Sequence, residues 1–537
     1  MTGHVVLLDT GGKQEFIFAS NKQAVNVGAS ELIMRVGTNW VTEAIAAAAQ
    51  GRDTSDWVLV QASGKAVLTV PDEGTGRSII RAVTTRALRE APGLEVSGVV
   101  LRIETDLGTT IREAHRLHEE VRAGQPSPWL RHPTLPYVHP CRYTGLPATA
   151  RGKERDRVFP RAATVHAAWG MRDEARERMA SHLSQNAVVD AGRLDQGVTH
   201  SGWVAVVHAD GNGLGEVFRS LHEVYTDEEY RDVFGTFSRT LDEVTQDALK
   251  AAVRTQAGRS DWILPIVVGG DDVTAIMDAR FAFDVTHTFL VEFEQRSRID
   301  PINAVLQRVW ELRHRGEAPP DGLTAAAGIA FVKPHRAFSD AYRLAEQLCE
   351  SAKTLKNVDG SRSALDFHVL HDSVSRSLDE LRGEQVVEDN DGTTLRLWAG
   401  PYLVGRPAGN PRVQLQHVDH LMSAMSAQRV TGGQSPLLPV GTVVRLRDAL
   451  MRSRTRALRE RDQVISWHAR PDEAREHLDR HLWVAPDVNV AANEPFTRII
   501  DAARLLDMER GTVHGQPQPR ELGNDEQEQT ETGGADW

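Results

Sequence analysis

Short apolar runs and amphipathic stretches alternate along the first hundred residues. His4 to Leu8 is an apolar run closed by Asp9-Thr10-Gly11-Gly12. Residues 13–20 and about 28–50 repeat their apolar positions at helical spacing, the second stretch ending at Gly51. Trp57 to Gln61 and Ala66 to Val70 are two apolar runs joined by Ala62-Ser63-Gly64-Lys65, which reads as a hairpin turn. Helical spacing returns over 75–90, and Val96 to Ile103 is a further strand. The predicted order is βαββαβ, the ferredoxin-like pattern.

The pattern restarts at 202. Trp203 to Val207 is an apolar strand leading into His208-Ala209-Asp210-Gly211-Asn212-Gly213. Residues 213–224 and 230–256 are predicted helices. Ile263 to Val268 and Val273 to Met277 are strands around the turn Gly269-Gly270-Asp271-Asp272. Helices follow at 279–298, with an insertion to about 316. Thr324 to Val332 is a strand, 337–356 a helix and Ala364 to Leu370 a last strand. In both units the first strand ends on an aspartate, Asp9 or Asp210.

The pattern predicts an α+β chain. It has a first βαββαβ unit over 1–105, a linker over 106–200, a second unit over 201–371, a mostly helical part over 372–512 and a tail over 513–537. The linker has helices at about 109–123 and 170–184 and a Pro-, His- and Arg-rich segment at 126–160. In the C-terminal part Thr394 to Leu403 reads as strand, and helices are expected near 414–427, 442–466, 471–482 and 494–508. The tail, rich in Gln, Glu, Gly and Pro, is predicted disordered.

Charge changes the picture only locally. The 537 residues hold 62 Lys and Arg against 74 Asp and Glu, a net −12. That balance argues against a uniform basic coat for nucleic acid. Eight arginines nevertheless fall within 441–470, against Asp448, Glu460 and Asp462. Such a run is a solvated face or a contact surface for RNA or protein. Two cysteines, Cys141 and Cys349, make neither a disulfide framework nor a four-cysteine zinc site, and a reducing, cytoplasmic setting is expected. No apolar run is long enough to span a bilayer.

The chemistry concentrates at Asp210 and the Gly269-Gly270-Asp271-Asp272 turn. In a ferredoxin-like unit the first strand is central, so its end meets the hairpin turn. Asp210, Asp271 and Asp272 then converge although some sixty residues apart. Carboxylates so close repel unless a cation sits among them. Mg²⁺ (or Mn²⁺) suits an all-oxygen set that leaves positions for substrate phosphates, and two such ions can serve phosphoryl transfer. Gly211, Asn212 and Gly213 after the first aspartate, with Gly269 and Gly270, allow backbone to approach a nucleotide's phosphates. Alone, Gly-Gly-Asp-Asp is an ordinary hairpin turn. The set with Asp210 and flanking apolar strands is more specific.

Ala209 to Gly215, Val268 to Asp272, and Ala325-Ala326 and Gly328 followed by Ala341 to Lys353 resemble the catalytic palm of the large subunit of type III CRISPR effector complexes, the CRISPR polymerase. That palm is similar to those of GGDEF diguanylate cyclases and class III nucleotidyl cyclases. Asp9 to Phe18, Asn21-Lys22 and Val27 to Leu32 resemble the opening of the family's first palm. The resemblance covers about 1–105 and 200–370, in a form lacking the HD nuclease domain. It implies joining of ATP into cyclic oligoadenylates in antiviral defence, metal ions on Asp210, Asp271 and Asp272, and Lys353 on the triphosphate. Arg336 and Arg343 are weaker triphosphate candidates. Implied partners are crRNA or target RNA, CRISPR backbone subunits, or a second copy through the palms, with no membrane.

The chain departs from the family in places. Gly64 and Lys65 stand where the second unit has Asp271 and Asp272, so the first unit lacks the acid pair. Asn212 stands where many members have an acid. Near Cys141 only His132 and His139 remain of a zinc ribbon, which reads as a metal-free linker. His371-Asp372 and the i, i+4 pair His477 and His481 lack further ligands. Two other readings stay open: a non-catalytic, RNA-associated scaffold subunit, and a GGDEF-like cyclase using GTP.

Overall fold

The computed structural model describes residues 3–125, 136–154, 157–184, 186–189, 202–313, 319–355, 362–371, 376–388, 392, 394–404, 437–484 and 495–510. The expected helix at 414–427, the tail at 513–537, His132 and Asp372 lie outside them.

The first unit runs β1 (His4–Gly11), α1 (Lys13–Ile17), α2 (Gln23–Arg35), α3 (Val41–Ala49), β2 (Val58–Ala62), β3 (Lys65–Val70), α4 (Glu73–Glu90) and β4 (Glu95–Arg102). The helix expected over 28–50 is interrupted by a π-helical turn at Val36–Trp40, between α2 and α3. Gly37 lies within it, where a Cβ would stand 1.9 Å from the Ala62 carbonyl oxygen. The sheet order is β2-β3-β1-β4, and β1 is antiparallel to both neighbours.

The second unit runs β7 (Val204–Gly211), α7 (Leu214–Val224), α8 (Asp227–Arg254), β8 (Ile263–Gly269), β9 (Asp272–Asp278), α9 (Ala279–Arg296), α10 (Ile302–Arg313), β10 (Ala325–Val332), α11 (Phe338–Lys353) and β11 (Ala364–Val369). Its strands order as β11-β10-β7-β9-β8, with β14 (Tyr402–Leu403) beyond β11. The four strands β8-β9-β7-β10 repeat the order of the first sheet, and β7 is antiparallel to β9 and β10. β11 pairs parallel with β10.

Burial on both faces explains the continuous apolar runs at β1 and β7. Val5 and Leu7 share one core with Ala205 and Val207. Val6 and Leu8 share the other with Val204 and Val206. The two units therefore pack as one body, sealed beside the site by Phe18 against Tyr342, with ring centroids 4.3 Å apart.

Between the units lie α5 (Leu107–Ala123), β5 (Ala150–Glu154), β6 (Arg157–Arg161) and α6 (Ala163–His182). The β5–β6 hairpin is not legible as strand in the sequence, because its run Ala-Arg-Gly-Lys-Glu is polar and only partly buried. After the second unit come α12 (Leu378–Gly383), β12 (Val386–Glu388), β13 (Thr394–Arg396), α13 (Val440–Leu450), α14 (Arg454–Trp467), α15 (Pro471–His481) and α16 (Ile499–Arg510). The single helix expected over 442–466 is two. Ser453 stops and restarts it by accepting the Arg456 N–H as an N-cap. Among the described residues no helix is long and apolar enough to cross a membrane.

Candidate functional site

β7 carries Asp210 to the mouth of the second sheet, beside the β8–β9 turn. Gly269 pairs with Asp272 across that turn, leaving Gly270 and Asp271 as its two central residues. Of these only Gly270 takes a positive φ, 64°, as the first central position of a II′ hairpin turn requires. Asp210, Asp271 and Asp272 each bring a carboxylate oxygen into a cluster in which all lie within 4.8 Å of one another. Gly211 makes this possible, since a Cβ there would meet the Asp271 Cβ at 2.9 Å and Leu214 at 2.4 Å.

The cluster is electrostatically frustrated. Burial, then the Asp210 charge, pushes the Asp271 carboxyl up to about 6. Burial, a hydrogen bond with Asp210 and the Asp271 charge raise Asp272 further. From the end of α11, the Lys353 ammonium lies 2.6 Å from Asp210 Oδ2 and 2.7 Å from Glu350. Burial works against its charge, but those two hydrogen bonds outweigh it and hold it above the ordinary lysine range. Three hard oxygen donors under mutual repulsion fit a divalent cation such as Mg²⁺ or Mn²⁺. A cation's charge would reverse the upward shifts.

A cavity of about 320 Å³ opens against the acids, and both units line it. Asp210, Asp272, His208, Tyr342 and Lys353 come from the second unit, and Lys13, Gln14, Ser30 and Ser63 from the first. Gln14 Nε2 donates to the Tyr342 hydroxyl at 2.8 Å, and Lys13 Nζ to the Ser63 carbonyl at 3.0 Å. His208 contacts Thr274 at 3.1 Å, and burial lowers its affinity for a proton. Sequence reasoning misses the first-unit residues of this site, because they converge only through packing of the two units. His208 and Tyr342 carry no motif.

The equivalent corner of the first sheet is wired differently. Asp9 pairs in register with Lys65, and Lys13 lies 3.6 Å from Asp9. A tethered ammonium thus stands where the second sheet has a carboxylate. Burial lowers the Lys65 proton affinity against the pull of Asp9.

Other sequence candidates fall elsewhere. Asn212 is tied to the start of β10: its backbone N–H donates to the Thr324 carbonyl at 2.8 Å, and Nδ2 to the Thr324 hydroxyl at 3.0 Å. Gly213, with φ 72°, caps α7. Arg336 and Arg343 do not line the cavity. Cys141 is buried and His139 is exposed. His371 packs edge-on against Trp203. His477 and His481 lie on α15 with rings 6.1 Å apart. In the arginine run, Arg445 pairs with Glu460 and Arg461 with Asp479.

Residues 203–361 match the family model "Cas10/Cmr2, second palm domain". Among solved structures, Csm1 in T. onnurineus is similar at 15% identity and TM-score 0.50, covering 95% of this chain and 69% of that one. The Csm1–Csm4 cassette in complex with cA3 is similar at 14% identity and TM-score 0.49, covering 95% and 70%. The cassette in complex with pppApA is similar at 12% and 0.49, covering 95% and 69%. No curated protein matches by sequence. Over residues 203–361 the chain is therefore Cas10-like, similar to the second palm domain of the Cas10/Cmr2 family.

Proposed function

We propose that the chain is a nucleotidyltransferase of the CRISPR-polymerase type that joins ATP 3′–5′ into a cyclic oligoadenylate. The observation that carries this reading is the Asp210–Asp271–Asp272 cluster opening onto a cavity lined by both units. The span matched to the palm family includes all three acids. We read both four-strand arrangements as ferredoxin-like palms, the first (1–105) without the acid pair and the second (201–371) catalytic. The linker over 106–200, the helical part over 372–512 and the tail over 513–537 complete the division.

In this reading Asp210, Asp271 and Asp272 hold two Mg²⁺ or Mn²⁺ ions. The ions, when bound, activate the 3′-hydroxyl and neutralise charge on the α-phosphate and the leaving pyrophosphate. Lys353 turns from Asp210 to the triphosphate as a point charge. Gly211, Asn212, Gly213, Gly269 and Gly270 form the backbone wall that the phosphates approach; the N–H groups of Asn212 and Gly270 are already given to Thr324 and Asp242. Lys13, Gln14 and Ser63 give the first palm a role as the opposite wall of the nucleotide cavity. CRISPR backbone subunits and guide or target RNA are the proposed partners, in the cytoplasm.

The test is incubation of purified protein with ATP and Mg²⁺ or Mn²⁺, with and without RNA, read by product mass. Cyclised adenylate that disappears in Asp271→Ala plus Asp272→Ala supports the reading. A guanine product from GTP alone makes it a GGDEF-like cyclase. Copurifying RNA and subunits with no turnover under any condition make it a scaffold.

A further inference from the structure

The turn that presents Asp271 is held from outside its own hairpin. One turn of α8 reaches it with two side chains. Asp242 Oδ1 accepts the Gly270 backbone N–H at 2.8 Å. The Thr245 hydroxyl donates to the Gly270 carbonyl at 2.6 Å. Both polar groups of one glycine are thus captured by residues three apart on one helix face. Asp242 is itself steadied by Gln246, whose Nε2 donates to Oδ2 at 2.7 Å. Helical threonines often donate to the carbonyl four residues back, and Thr245 also lies 3.0 Å from the Leu241 carbonyl. The shorter contact, however, is to Gly270.

What these bonds fix are the two peptides flanking Gly270: Asp242 holds Gly269–Gly270 through its N–H, and Thr245 holds Gly270–Asp271 through its carbonyl. Types I′ and II′ differ by a flip of the latter peptide, and Gly270 as glycine opposes neither. A flip would re-aim the Asp271 side chain. The first palm secures its Ser63-Gly64 turn otherwise. There the Thr10 hydroxyl holds the Gly64 carbonyl at 2.7 Å and Lys13 Nζ the Ser63 carbonyl at 3.0 Å, both from the strand and helix that open the unit. The α8 clamp therefore belongs to the unit that has the acids. Its helix is seated on the first palm: Arg231 donates to the Asp56 carbonyl at 2.6 Å, and a Cβ on Gly235 would stand 2.9 Å from the Leu59 carbonyl oxygen.

We infer that Asp242 and Thr245 are positioning residues that lock the peptides on either side of Gly270 and so set the Asp271 carboxylate against Asp210 and Asp272 for divalent-cation binding. The inference rests on the proposed function's reading of the acids as metal ligands. It is tested on the full chain with Mn²⁺ as probe, by electron paramagnetic resonance titration, alongside melting without the ion and turnover of ATP. Thr245→Val keeps the shape and loses the donor, and Asp242→Ala loses the acceptor. Each is expected to melt as a folded protein and to bind Mn²⁺ about tenfold more weakly or worse, the usual cost of removing a group that orients a ligand. Thr245→Ser and Asp242→Asn keep the bond to Gly270 and are expected to bind as the parent does. Parent-like Mn²⁺ binding in folded Thr245→Val and Asp242→Ala overturns the inference alone. A parent protein that binds no Mn²⁺ overturns the proposed function and the inference together.

Discussion

Lys353 Nζ lies 2.6 Å from Asp210 Oδ2, so a protein ammonium already partners the carboxylate that a metal ion would claim. The two cations compete for one oxygen. Lys353→Met should therefore strengthen Mn²⁺ binding without nucleotide by about tenfold, the worth of one released charge-assisted hydrogen bond of roughly 1.5 kcal/mol. The same substitution should weaken ATP binding, because the triphosphate loses its point charge. Calorimetric titrations with each ligand separate the two effects. Weaker Mn²⁺ binding in the variant would show that Lys353 supports the cluster rather than competing for it.

The raised acids predict a pH dependence. Asp271, pushed up to about 6, and Asp272, raised further, bind more protons folded than unfolded. Without a divalent ion, their contribution to stability is therefore full below about pH 4, the ordinary carboxylate value, and declines as pH rises through and beyond 6. Divalent binding follows the opposite course. It requires the carboxylates, so affinity climbs over the same range and binding releases protons. Melting temperatures with and without Mg²⁺ from pH 5 to pH 8 should diverge as pH increases. Parallel curves would count against metal binding at these acids.

Gly211→Ala should cripple the site while leaving the fold. Its Cβ would meet Asp271 and Leu214 well inside contact distance. Displacing a carboxylate by about 1 Å costs on the order of a hundredfold in rate. Turnover and melting temperature measured together decide it: a large loss of both would mark Gly211 as a core residue instead.

Lys65 tests the difference between the first unit and the acid cluster of the second. Lys65→Asp restores an acid facing Asp9 but removes the ammonium that balances it. Stability at neutral pH should fall by roughly 1–3 kcal/mol, the cost of setting a second partly buried carboxylate beside Asp9 with Lys13 as the remaining cation. Chemical denaturation measures this. A stable variant that binds additional Mn²⁺ would show that the sheet can build a site from Asp9 and one introduced carboxylate alone.

The acids are legible in the sequence because two strand ends and a turn of known topology fix their meeting point. Asp210, Asp271 and Asp272 need only the strand pattern. Asp242 and Thr245 are not legible: they sit in an amphipathic helix, where their spacing reads as surface. Lys13 and Ser63 escape notice for a related reason, since they reach the cavity only through packing of one unit on the other. Asn212, expected among the nucleotide-binding residues, is tied through backbone and side chain to Thr324 at the start of β10. The break between α13 and α14 turns on one serine within an otherwise periodic run.

The most direct measurement is the mass of product formed from ATP by the full chain with Mn²⁺, with and without RNA, beside Asp271→Ala plus Asp272→Ala. The account predicts cyclic oligoadenylate and pyrophosphate from the parent and neither from the double variant. Equal product from both, or none from the parent with any RNA supplied, would contradict it.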